Sequence, residues 1–147
     1  RCTCSQASVE QYLGRISGPL LDRIDLTVEV PAVPFSDLSG TSREESSAEI
    51  RARVNAARRR QLERFSGTAT QCNAHMTPRQ LQESCALSPE ASELLRQAFQ
   101  TLGLTARSHN RILKVARTIA DLDESAQIAP QHLAEALSFR SNGLGRN

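Results

Sequence analysis

The chain has 147 residues, enough for one ordinary domain or a small domain with a tail, and a net charge of +2, too low for the chain as a whole to be a strong polyanion binder. It holds no Trp, 1 Tyr and 4 Phe, so its core must be built from Leu, Ile, Val and Ala, a composition that favours helices. No apolar run can span a membrane, no signal peptide is expected from the pattern, and 4 scattered cysteines do not make a secreted disulfide framework, so a reducing cytoplasm is the expected setting.

The chain opens on Arg1 and not Met, which reads as part of a longer protein. Cys2-x-Cys4 has the spacing of one half of a metal site; zinc usually takes four ligands, and Cys72 and Cys85 lie far away in sequence, so two ordinary thiols are the favoured reading. Ser5 is placed to cap a short helix carrying Val9, Tyr12, Leu13 and Ile16. Gly18-Pro19 then starts a turn or short helix, filled by Leu20 and Leu21. Arg23 follows, between Asp22 and Asp25. In Asp25-Leu26-Thr27-Val28-Glu29-Val30 polar and apolar residues alternate with β-branched enrichment, which predicts a strand. An arginine at the mouth of a strand has two uses. It can pair with the neighbouring acids, or it can meet a phosphate with its planar, permanently charged fork. Spacing alone favours the local salt bridge.

Residues 31–42 read as a linker, with two prolines and a Ser/Gly/Thr run. The longest predicted helix covers residues 43–65. Ser42 and Glu45 fit a capping box, and Ile50, Val54, Ala57, Gln61 and Phe65 form a stripe. The other faces carry six arginines, among them Arg51, Arg58 and Arg59, which suit a nucleic-acid backbone. No aromatic residue interleaves them, so a solvated or subunit-facing surface is the favoured reading.

Residues 66–76 read as a polar loop, with His75 as a surface or capping residue. Thr77-Pro78 starts a short helix to about Ser84, and Cys85 reads as a small buried hydrophobe. Ser88-Pro89 starts a helix to about Leu102, stopped by Gly103. Thr105 caps the next, to about Leu122, with Ile112, Val115, Ala116 and Ile119 as its core stripe. Arg107 falls in the first turn of that helix, where a cation opposes the dipole and needs an acid or a bound anion beside it; on pattern alone a local carboxylate is favoured. Pro130 starts the last helix, with Leu133, Ala136 and Leu137 inward. The tail, residues 141–147, has two glycines and no apolar pattern, and is expected to be disordered. Every basic residue except Lys114 is an arginine, a preference that suits bidentate phosphate contacts and that a GC-rich genome produces equally well.

The run Gly18-Pro19-Leu20-Leu21-Asp22-Arg23-Ile24-Asp25-Leu26 resembles the motif that ends the core domain of magnesium-chelatase-like AAA+ ATPases, in particular their competence-linked ComM (YifB) branch. Ile50-Arg51-x-Arg53-Val54-x-x-Ala57-Arg58-x-x-Gln61, Asn73-Ala74-His75-Met76 and the stretch from Arg107 to Ala120 resemble that branch too, so the likeness runs from Cys2 to Arg140. It implies a mainly α fold, a helical-bundle AAA+ lid preceded by the last helix or turn and strand of an incomplete α/β core. The core remnant would cover residues 1–30, the linker 31–42, the lid 43–140 and the tail 141–147. It also implies that Arg23 is an arginine finger reaching the γ-phosphate of ATP on a neighbouring subunit. Arg107 would be the sensor-2 arginine on the ATP phosphates, with Arg111, one turn later, as second choice. In such proteins a Cys-Pro-Cys-Gly element precedes a Cys-x-Cys like this one, which implies zinc on Cys2 and Cys4, with half of the ligands missing here.

For the full-length protein the resemblance implies ATP and Mg²⁺ as cofactors. Its partners would be its own N-terminal and AAA+ core domains, the neighbouring subunits of a homo-hexamer, and DNA, with no membrane. The activity would be DNA branch migration in natural transformation. The sequence holds no Gly-x-x-x-x-Gly-Lys-Ser/Thr loop and no acidic Walker B strand, so this chain alone is not expected to hydrolyse ATP. Two other readings stand beside this one: a metal-chelatase-type motor subunit that remodels a protein partner, and a free-standing helical DNA-binding module.

Overall fold

A computed structural model describes residues 3–15, 17, 20, 23–33 and 45–141. Cys2, Ile16, Gly18, Pro19, Leu21, Asp22, Ser42, most of the 31–42 linker and the tail from 142 onward lie outside the described residues.

Local sequence sets most helix starts. Helix α1 (Gln6–Leu13) is capped by Ser5, whose Oγ accepts from the Ser8 N–H at 3.4 Å. Helix α2 (Ser47–Arg64) starts at Ser47 and not at residue 43. Its box is Ser46 with Glu49: Ser46 Oγ accepts from the Glu49 N–H at 3.3 Å, and Glu49 Oε2 accepts from the Ser46 N–H at 2.7 Å. The sequence offers the same Ser-x-x-Glu pattern twice in a row, and Glu45 is engaged elsewhere, in an ion pair with Arg53. The loop before Met76 contains one 3₁₀ turn, Asn73–His75. Helix α3 (Pro78–Ser84) has its capping box at Thr77 and Gln80, and α4 (Pro89–Leu102) has its cap at Ser88. Gly103 ends α4 with φ 59°, the left-handed conformation that glycine adopts without a Cβ clash. Thr105 caps α5 (Ala106–Leu122), and α6 (Pro130–Ser141) closes the bundle.

Helix α5 is the central element, packed against α2, α3, α6 and the 3₁₀ turn, while α4 packs on α6. The core gathers Phe65, Met76, Leu81, Cys85, Leu95, Ile112, Leu113, Ile128, Leu133 and Leu137 around small residues such as Ala91, Ala116 and Ala136. Burying a side chain such as Ile112, Ile128 or Leu133 contributes about 1.5–3 kcal/mol relative to leaving it in water. The core face of α5 differs in part from its predicted stripe. Ile112 and Ala116 are buried as expected, but Leu113 and Ala120 complete the face, and Val115 and Ile119 are half-buried beside a groove. On α2 only the C-terminal half of the expected stripe is inside. Ala57, Gln61 and Phe65 are buried, whereas Ile50 and Val54 are exposed.

Residues 25–30 do not form the expected strand, and among the described residues no strand forms; an isolated parallel bridge joins Leu87 and Ile128. A strand is held by ladder hydrogen bonds to a neighbour, and none of the described residues supplies one. Instead the Thr27 N–H donates to the Phe139 carbonyl at 3.0 Å, at the end of α6, and Leu26, Val28, Val30 and Val33 are exposed.

A buried polar cluster ties α2, the 3₁₀ turn and α5 together. Arg64 makes a bidentate pair with Asp121, one contact at 2.8 Å, and donates to Asn73 Oδ1 at 3.0 Å. Asn73 Nδ2 donates to Asp121 Oδ2 at 2.8 Å and to Thr118 Oγ1 at 3.0 Å, while Gln61 Oε1 accepts the Asn73 N–H at 3.2 Å. Arg117, one turn before Asp121, pairs with it at 3.2 Å and donates to the Ser125 and Ala126 carbonyls at 2.6 and 2.9 Å. Burial would push the Asp121 carboxyl up, but the hydrogen bonds from Arg64 and Asn73 and the charges of Arg64 and Arg117 outweigh it and hold the pKa below the ordinary range.

Candidate functional site

The start of α5 is an unneutralised positive end. Thr105 Oγ1 accepts the Ser108 N–H at 3.2 Å, and no acid stands in the first turn. Arg107 points to solvent and has no ion-pair partner among the described residues, so none of these supplies the local carboxylate that its position asks for. A cation at this end, beside the amides of a helix N-terminus, suits an anion from outside. Arg111, one turn on, is half-buried and engaged: its Nε lies 3.1 Å from Asp25 Oδ1.

That pair also decides the surroundings of Arg23. The Arg23 N–H donates to the Leu20 carbonyl at 2.9 Å, closing a turn, and its side chain is exposed. Asp25, one of the two acids expected to neutralise it, is turned to Arg111, and Arg23 has no ion pair among the described residues. The residue after Arg23 is fixed as well, because Arg140 Nη1 donates to the Ile24 carbonyl at 2.9 Å. The turn that carries Arg23 is therefore stitched to the ends of α5 and α6.

Beside this seam lies an open groove of about 480 Å³, with Asp25, Leu26, Arg111, Val115, Ile119 and Phe139 among its lining. A smaller one, about 320 Å³, runs between α2 and α5 and is lined in part by Val54, Arg58 and Cys72. Arg51, Arg58 and Arg59 are exposed on α2, with no ion pair among the described residues.

Among the described residues no group of three or more His, Cys, Asp or Glu side chains is gathered to hold a metal. Cys4 is exposed, and its neighbour Cys2 lies outside the described residues. Among the described residues the cation of Arg107 and the amides at the start of α5 suit a phosphate, and no carboxylate cluster suited to Mg²⁺ is gathered. No helix among the described residues is long and apolar enough to cross a membrane.

Sequence reasoning missed three features. Asp121 and Arg117 carry an i, i+4 signal, but nothing local says that the pair is buried or that Arg64 joins it. His132 is buried at 3% exposure; the Ala129 N–H donates to its Nδ1 at 3.0 Å, which leaves Nε2 to carry the proton facing Asp123 Oδ2 at 2.9 Å. Arg140 reads from sequence only as a basic residue in a last helical turn.

Residues 44–140 match the family described as magnesium chelatase, subunit ChlI C-terminal, and residues 1–38 match magnesium chelatase, subunit ChlI. The chain belongs to the magnesium chelatase ChlI C-terminal family. It is 43% identical to competence protein ComM of Haemophilus influenzae over 138 residues, 93% of this chain and 26% of the relative. It is 44% identical to the YifB proteins of Salmonella typhimurium and Escherichia coli over 142 residues, 96% of this chain and 27% of each relative. The chain thus spans about a quarter of the length of these relatives. The mainly helical architecture is that of the helical lid expected for this family, in its ComM/YifB-like branch.

Proposed function

We propose that this chain is the lid and finger-bearing segment of a hexameric, cytoplasmic ComM-like AAA+ ATPase that couples ATP hydrolysis to DNA branch migration. Arg23 would serve the ATP of a neighbouring subunit as its arginine finger, and Arg107 would contact nucleotide phosphate as sensor 2. ATP and Mg²⁺ would be held largely by a core domain with which this chain assembles, and zinc, if Cys2 and Cys4 take part, would need ligands from that same part. The observation that carries the reading is the diversion of Asp25 to Arg111, which leaves Arg23 exposed and without an ion pair among the described residues on a turn that is itself held. A permanently charged fork on a turn held in that way can stabilise charge that develops on a phosphoryl group, and it has no ion pair among the described residues to break in doing so. Arg111 fits a supporting role better than direct phosphate contact, because its guanidinium already faces Asp25.

DNA is preferred over a protein as the remodelled partner on two grounds. One is the likeness to a competence protein; the other is the exposed arginine face of α2, where Arg51, Arg58 and Arg59 stand ready for phosphates. The test is made in the assembled full-length protein. Arg23→Ala should lower ATP turnover on the order of a thousandfold while nucleotide binding is retained. Mixing that variant with one defective in the phosphate-binding loop should restore part of the activity, because some interfaces then hold both working parts. Near-normal turnover in Arg23→Ala defeats the reading. Strand exchange on branched DNA by the same assembly separates the DNA motor from a chelatase-type motor.

A further inference from the structure

Arg140 stands in the last turn of α6 and grips two places at once. Its Nη1 donates to the Ile24 carbonyl at 2.9 Å, and its Nη2 donates to Ser108 Oγ at 3.0 Å. Ile24 is the residue after Arg23, and Ser108 is the residue after Arg107. Ser108 is no loose acceptor: it is 3% exposed, its N–H donates to Thr105 Oγ1 at 3.2 Å, and the two hydroxyls lie 3.2 Å apart. One guanidinium therefore joins the turn that carries Arg23 to the capped N-terminus that carries Arg107.

Two neighbouring contacts keep this link in register. The Thr27 N–H donates to the Phe139 carbonyl at 3.0 Å, taking up an acceptor that the end of a helix leaves without an intrahelical partner. Asp25 holds Arg111, one turn along α5 from Arg107. The seam runs over four consecutive residues on one side, Ile24 to Thr27, and over α5 and α6 on the other.

We propose that Arg140 is a positioning residue that couples the two arginine sites, so that movement of the α5 N-terminus on a nucleotide phosphate is passed to the Arg23 turn. The inference rests on the reading of Arg23 and Arg107 given above. Its physical basis is the shape of the side chain. A planar fork donates in two fixed, divergent directions from one rigid plate, and a lysine ammonium is a point charge without that plate. A shift of Ser108 cannot leave the Arg140 plate where it was without breaking one of the two hydrogen bonds, and the Ile24 carbonyl shares the same plate.

Arg140→Ala and Arg140→Lys test this with two readouts. Lysine keeps the positive charge at the end of α6 and with it the favourable dipole interaction, so the fold is guarded even if alanine weakens it. In this chain, amide exchange at Thr27 should quicken on the order of tenfold in both variants, the loss of roughly one hydrogen bond's worth of local order. In the full-length assembly both variants should lower the maximal ATP turnover while the nucleotide concentration for half-maximal rate stays within about twofold, the signature of an interaction made only in the transition state. The double variant with Arg23→Ala should be no slower than Arg23→Ala alone. Full restoration of turnover by lysine shows a role of charge only and overturns the coupling. If Arg23→Ala is inactive while both Arg140 variants turn over normally, the coupling fails and the finger reading stands. If Arg23→Ala itself is near normal, both fail together.

Discussion

Two pairs of arginines divide this molecule. Arg64 and Arg117 converge on one buried carboxylate, Asp121, with Asn73 and Thr118 completing the cluster. Arg23 and Arg107 stand in solvent on turns fixed by their neighbours, and neither has an ion pair among the described residues. The four share one chemistry and differ only in company. Charges that are paired inside the bundle belong to its architecture, because removing one member leaves the others desolvated and unmatched. Charges that are held at the surface without a counter-charge among the described residues are the ones open to an anion from outside. In a chain whose basic residues are nearly all arginine, composition cannot make this distinction, and the partners can.

The comparison breaks most visibly at Arg23. Its replacement by alanine should cost on the order of a thousandfold in turnover of the assembly, yet leave the urea-unfolding free energy of this chain within about 0.5 kcal/mol of the parent. The mirror image is Asp121→Ala. It strands Arg64, Arg117 and Asn73 around an empty place and should cost about 3–5 kcal/mol in the same unfolding measurement, whereas Arg107→Ala should cost no more than about 0.5 kcal/mol. Equal losses for Asp121→Ala and Arg107→Ala would erase the division between the two pairs.

Acid sharpens it. The folded-state pKa of Asp121 lies below its unfolded value, so the stabilisation it brings is fully present above the ordinary aspartate range and is lost as pH falls through the folded value. The unfolding free energy should therefore decline from about pH 4 downward, and Asp121→Asn should decline less steeply. Glu93, held at about 2 by Arg96 and Gln97, titrates at the low end of the same range, but it does so in both proteins and drops out of the difference.

The smallest effect is on a thiol beside the cluster. Burial pushes Cys85 up to about 11, against the opposing pull of Arg117 and Arg64, and its Sγ faces the Leu113 carbonyl at 3.8 Å. A charged alkylating reagent at pH 8 should label Cys4 and Cys72 well before Cys85, as read by mass spectrometry. In Asp121→Ala the Cys85 thiol should become reactive sooner, because the cluster that seals that side of α5 has been opened.

Much of the bundle was legible beforehand. Ser5, Thr77-Pro78, Ser88-Pro89, Gly103 and Thr105 start or stop the helices where they were expected to, and Cys85, Leu133, Ala136 and Leu137 are inside. The start of α2 is not fixed by the local pattern, because two Ser-x-x-Glu capping boxes follow one another and nothing within a turn of chain chooses between equals. Residues 25–30 have the alternation of a strand and no described strand to pair with, so the pattern alone did not make one. Arg107 could be placed at the head of α5 from its spacing, but whether an acid stood beside it could not.

What the sequence determined by itself is what can be satisfied within a turn or two of chain. A hydroxyl cap reaches an amide three residues on, a glycine adopts its own left-handed conformation, and an apolar stripe recurs along one helix. What the tertiary structure decided is which distant groups share a partner. Arg64 meets Asp121 across 57 residues, and Arg140 meets Ile24 across 116. The first pair is set by how the packed helices bring charges together in a poorly solvated interior, where a match or its absence weighs far more than in water; the second is set by where the segment after Arg23 lies against the end of α6, and no local window of sequence contains both members of either pair.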